Sequence, residues 1–91
     1  MQDAITKPAL SLRCKEMLKE RTDKIKHQQR LNGLLQRNQN LLNKTPKDKE
    51  GLRTRLNASQ IRIKNELHLS TIGIETMEEN IVRSGCPGLA L

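Results

Sequence analysis

The sequence predicts an all-α protein, a long antiparallel helical hairpin that pairs into a four-helix bundle or a coiled-coil assembly. Three observations predict it. Apolar residues recur at Leu56, Ile63, Leu67, Ile74, Met77 and Ile81, in steps of three, four and seven that lay one stripe along a helix. A second set, Leu31, Leu34, Leu35, Leu41 and Leu42, crowds just before a break at Asn43–Thr45 that is short enough to fold the chain back on itself. Finally, the 91 residues include no Phe, Tyr or Trp and only 34% are hydrophobic. A monomeric core built from Leu, Ile and Met alone would be marginal at this size, so the stripe is expected to be shared with another chain.

Residues 1–8 read as a flexible N-terminal arm, because they are mixed in polarity and Pro8 disfavours helical geometry at Lys7. The hairpin is expected over 9–83, with its first helix over about 9–43. Leu10, Cys14, Met17, Leu18 and Ile25 make the first apolar set of that helix, and Arg21, Lys24 and Gln28 fall near the same seam. Polar residues at seam positions weaken a coiled coil but fix its register. Asn32-Gly33 is a turn signal. The leucines on either side stay in helical phase, however, and one glycine inside a helix costs only about 1 kcal/mol relative to Ala. An unbroken helix is therefore preferred to a break there.

The turn is placed at 43–45 and the second helix over about 46–83. Thr45 is expected to cap that helix, Pro46 to fill its first position, and Asp48 to favour its dipole. Residues 61–74 carry a competing signal. Ile61-Arg62-Ile63, Leu67-His68-Leu69 and Ile72-Gly73-Ile74 alternate as strands do. Lys64-Asn65-Glu66 interrupts the alternation, whereas the helical stripe crosses all three pieces in phase. The helix should end near Arg83-Ser84-Gly85, where Gly85 suits a left-handed cap and Pro87 blocks continuation. Residues 84–91 then form a flexible tail.

The net charge of +7 is uneven. All the Lys and Arg residues except Arg83 lie between Lys7 and Lys64, and Glu66, Glu75, Glu78 and Glu79 dominate the remainder of the chain. Such asymmetry either steers an anionic partner to the first two-thirds or pairs the acidic end of one chain with the basic end of another. Two cysteines, Cys14 and Cys86, are too few for a disulfide framework. No apolar run reads as a signal peptide or a membrane span. A cytoplasmic or nuclear setting with reduced thiols is the resulting expectation, and the sequons at Asn43 and Asn57 carry no weight in it.

No pattern points to catalysis, a cofactor, a metal or a small-molecule substrate. His27 and His68 lack the paired spacing of a zinc site, Glu75, Glu78 and Glu79 read as a solvated face, and no glycine-rich phosphate loop occurs. The chain is therefore read as a non-enzymatic oligomerisation or scaffold module that assembles with itself or with a helical partner subunit. Its assembly core is expected from Leu31, Leu35, Leu42, Leu56, Ile63, Leu67, Ile74, Met77 and Ile81. The alternative is a helical dimer that holds double-stranded RNA or DNA on basic outer faces, through Lys15, Lys19, Arg30, Arg37, Arg53, Arg55, Arg62 and Lys64. Without aromatic residues, stacking on single-stranded bases is not expected. A membrane surface is not expected either, because Trp or Phe anchors are lacking. The end Gly88-Leu89-Ala90-Leu91 has the apolar last residue that suits a PDZ-type groove, as many tails do by chance.

Overall fold

The computed structural model describes the backbone of residues 2–87 and the side chains of residues 12–87. Two helices, α1 (Gln2–Lys44) and α2 (Glu50–Arg83), pack against each other as an antiparallel hairpin. The described chain is a rod of 73 × 19 × 15 Å. The expected all-α hairpin is thus the architecture. The Gly88–Leu91 end lies outside the described residues.

Each helix has a physical account. In α1, the buried and half-buried positions run 14, 17, 21, 24, 28, 31, 35, 38 and 42, continuing to 45 in the turn, and in α2 they run 53, 56, 60, 63, 67, 70, 74, 77 and 81, continuing to 84 just past its end. Both series alternate steps of three and four, with a few flanking positions beside them. An average of 3.5 residues keeps one stripe turned to the neighbouring helix over a long contact. Gly33 is passed without a break, in open space and inside α1. The strand-like run 61–74 is helical throughout. Two residues turn a helix by about 200°, so an alternating triplet sets its members on opposite sides. Ile63, Leu67 and Ile74 face the seam, while Ile61, Leu69 and Ile72 face away.

The ends differ from expectation in three places. α1 begins at Gln2, so residues 2–8 of the expected arm are helical. Pro8 removes one amide donor from the helix and leaves the other backbone bonds to carry it. α2 begins at Glu50 rather than 46, because Thr45 and Pro46 belong to the turn. The Thr45 hydroxyl donates back to the Leu41 carbonyl at 2.6 Å and closes α1 instead of capping α2. The Thr45 N–H reaches the Leu42 carbonyl and the Lys49 N–H reaches Pro46, which tightens the reversal.

The third difference concerns the thiols, which are oxidised. Cys14 and Cys86 form a disulfide across 72 residues of sequence. The route to it is local. α2 ends with Gly85 at φ 70°, as expected of a left-handed cap. The Gly85 N–H bonds the Val82 carbonyl at 2.9 Å and the Cys86 N–H bonds Ile81 at 3.1 Å. This paired arrangement caps the last carbonyls and turns the chain inward. It delivers Cys86 to Cys14 with a Cα–Cα separation of 5.5 Å. Counting cysteines misses the pair because its proximity is a property of the hairpin and not of the spacing. Ile81, beneath this reversal, is the one fully buried large side chain among the described residues.

Candidate interaction surfaces

Three surfaces bear on function: the seam, the back of α2 and the back of α1. All nine residues expected to form an assembly core lie on the seam of a single hairpin. Leu31, Ile74 and Ile81 are buried; Leu35, Leu42, Leu56, Ile63, Leu67 and Met77 are half-buried. Their burial comes from the facing helix of the same chain.

Polar contacts pin the register of that seam at four levels. Arg21 and Glu78 form an ion pair, with Nη2 2.7 Å and Nε 2.9 Å from the same carboxylate oxygen. Gln28 donates to the Thr71 hydroxyl at 3.0 Å. Asn38, only 6% exposed, donates its amide to the Leu56 carbonyl at 3.0 Å, while its own Oδ1 has no partner. At the turn, Arg53 donates to the Thr45 carbonyl at 3.0 Å and to Leu42 at 3.3 Å. Its guanidinium thereby meets carbonyls at the negative end of α1, that of Leu42 shared with the Thr45 N–H. Arg53, nominated from the sequence for nucleic-acid contact, is half-buried in this capping role. Sequence reasoning passes over Asn38, yet the three-four spacing runs straight through it.

The back of α2 is unexpectedly apolar. Ile61, Leu69 and Ile72 are 62%, 67% and 47% exposed. With Thr54, Ala58, Asn65 and Thr76, all exposed, they form an uncharged strip along the helix. The strand-like alternation of Ile and Leu in the sequence is the trace of this strip beside the seam. A smaller apolar patch, Leu34, Leu41 and Leu52, flanks the turn end.

The back of α1 is basic. Lys15, Lys19, Arg30 and Arg37 are exposed, on the side away from α2, and Lys26 and Lys44 join them. Arg55, Arg62 and Lys64 are exposed on α2. Between the helices lies an open groove of about 300 Å³ lined by Glu20, Asp23, Lys24, His27, Leu69, Ser70 and Gly73, so Leu69, at the edge of the outer strip, also borders this groove. His27 is on this groove, and His68 is exposed on the back of α2. Among the described residues no group of three His, Cys, Asp or Glu could hold a metal ion. No described helix is long and apolar enough to cross a membrane. Compared with protein-family models, curated proteins and solved structures, the chain matches none of them.

Proposed function

We propose that this protein is a non-enzymatic helical assembly module, a scaffold that joins with itself or with a helical partner subunit and uses no cofactor or small-molecule substrate. The observation that carries this reading is the exposed apolar strip of Ile61, Leu69 and Ile72. Single exposed apolar residues are ordinary, but a stripe repeated along one helix face offers a contiguous docking surface. A rod with so thin a core gains by covering further apolar surface. The test is the mass in solution across a concentration series. We expect at least twice the 10.4 kDa of one chain. A single-chain mass at every concentration removes self-assembly and leaves only the heterologous form.

A second reading rests on a separate observation, the basic back of α1. Lys15, Lys19, Lys26, Arg30 and Arg37 recur every four or seven residues, roughly 6 or 10.5 Å apart along the helix. A rigid row of cations can follow the phosphates of a duplex without reading bases. Duplex RNA and DNA titrations across a salt series decide it. Steep loss of binding with salt supports it, and indifference to duplexes ends it.

The disulfide bears on the cellular setting. Reduced thiols are one premise for a cytoplasmic or nuclear location, and the Cys14–Cys86 cross-link withdraws it. We infer a compartment in which thiols are oxidised.

A further inference from the structure

We propose that the outer face of α2 is a self-docking surface, pairing antiparallel with the same face of a second copy of this chain about a twofold axis near Asn65. This rests on the self-assembly reading and adds to it a surface and an orientation. Two independent regularities carry it.

The first is in the strip itself. Ile61 and Leu69 lie four residues on either side of Asn65, Ala58 and Ile72 lie seven, and Thr54 and Thr76 lie eleven. Every one of these residues is exposed. The strip therefore reads alike in both directions: hydroxyl, apolar, apolar, amide, apolar, apolar, hydroxyl. A twofold contact requires a patch that complements itself, and this one does so when reversed. Ile61 of one copy comes to the level of Leu69 of the second, and small Ala58 to the level of large Ile72, which suits interlocking side chains.

The second regularity is charge. Before Asn65, the exposed charges of α2 are Arg55, Arg62 and Lys64 against Glu50. After it they are Glu66, Glu75 and Glu79 against Arg83, while Arg53 and Glu78 are taken up by the turn and the seam. Antiparallel pairing sets the basic half of each helix on the acidic half of the other. Arg62 comes within reach of the second copy's Glu66 on the same flank of the contact, and Arg55 comes to the level of its Glu75. All four side chains are exposed in the hairpin, and Glu79 pairs with Arg83 of its own helix. Parallel pairing would oppose like charges over both halves, so the same pattern that favours one orientation disfavours the other. In the resulting four-helix layer the two α2 helices are central, and the basic backs of both α1 helices face outward.

The test uses the full chain in three forms. The first variant, Ile61→Gln with Leu69→Gln and Ile72→Gln, strips the apolar face with a residue that favours helix. The second, Arg55→Glu with Arg62→Glu, makes both halves acidic. The third, Glu66→Lys with Glu75→Lys and Glu79→Lys, makes both halves basic. Helicity is checked by circular dichroism and mass by sedimentation. We expect a dimeric wild type, and a dissociation constant raised at least about 100-fold in the apolar variant with helicity unchanged. Each charge variant alone should be monomeric, and their equimolar mixture should form a dimer of one chain each. A single-chain mass for the wild type overturns the proposal together with self-assembly. If the wild type is dimeric and the apolar variant equally so, the face is wrong while self-assembly stands. A charge variant that dimerises alone, or a mixture that does not, overturns the antiparallel orientation.

Discussion

α2 carries two apolar stripes on opposite sides, made of the same residue types and differing in burial. On the inner side, Ile63, Leu67 and Ile74 are buried or half-buried against α1. On the outer side, Ile61, Leu69 and Ile72 remain largely in water. The inner stripe is flanked by contacts that fix it in place: Arg21 to Glu78, Gln28 to Thr71 and Asn38 to the Leu56 backbone. None of the described hydrogen bonds or ion pairs involves Ile61, Leu69 or Ile72, and the ion pair on their side of the helix, Arg83 to Glu79, lies within α2 and ties it to no other element. Burial with polar register-setting marks a stripe that builds the fold, whereas exposure without it marks one that is available to another molecule. Substitutions on the two sides should therefore move different observables, stability on one and mass on the other.

The largest loss is expected where the inner stripe ends. Ile81→Asp places a carboxylate at the one fully buried large side chain, beneath the disulfide. Burial of an unpaired charge or polar group costs several kcal/mol, about 4 or more at such a site. Cooperative thermal unfolding followed by circular dichroism should disappear or move far down. A melt indistinguishable from wild type would mean that the C-terminal turn of α2 does not pack as described.

Nearly as much should follow from removing the cross-link. A loop closed across 72 residues restricts the unfolded chain by about 4 kcal/mol in the chain-entropy account, comparable to the net stability of a small domain. Cys14→Ser with Cys86→Ser, or reductant on the wild type, should lower the melting temperature alike, and reductant should do nothing more to the double variant. Equal melts with and without reductant would show that the hairpin needs no staple at its open end. This comparison also sharpens the contrast between stripes. If the disulfide is dispensable only at high concentration, the outer face is compensating through assembly.

Much of the fold is legible in the sequence alone. The seam is legible because its apolar residues recur at helical spacing, and Gly85 is legible because few other residues suit a positive φ. What is not legible has physical reasons. The start of α2 is misplaced because Thr45 and Pro46 serve a turn as well as a helix N-terminus, and only the return of the Thr45 hydroxyl to Leu41 decides between them. Arg53 resembles every other surface cation until the turn brings the carbonyls of Leu42 and Thr45 to it. The thiol pairing depends on contact between residues near opposite ends of the chain. The outer strip is visible as alternation, but alternation is the strand signature, and in a helix the same letters describe two faces.

The sharpest form of the contrast uses neighbours. Ile72 and Ile74 are the same residue two positions apart, 47% and 8% exposed. Ile74→Ala should cost about 2–4 kcal/mol, as truncation of a buried side chain does. Ile72→Ala should change the stability of the dilute monomer by less than about 0.5 kcal/mol and weaken self-association instead. Chemical denaturation at low concentration reads the first effect, and sedimentation at high concentration reads the second. Equal stability losses at both positions would erase the distinction between the faces.

The smallest expected effect lies at Asn38 and has the opposite sign. Its buried Oδ1 has no partner while its amide holds Leu56. A buried polar atom left unpaired costs about 1–3 kcal/mol, so Asn38→Leu should raise the melting temperature, by an amount worth about 1 kcal/mol once the lost hydrogen bond is set against it. A polar side chain in an apolar seam also forbids registers in which it meets no partner. With Leu at 38 a slip of one seven-residue repeat becomes less costly, and such a slip moves one helix past the other by about 10 Å. Cys14 and Cys86 would then be too far apart to bond. Reduced and reoxidised Asn38→Leu should thus be more stable where its disulfide forms and yet retain more free thiol than wild type. A variant that gains stability and reoxidises completely would show that Arg21, Gln28 and the turn set the register without Asn38.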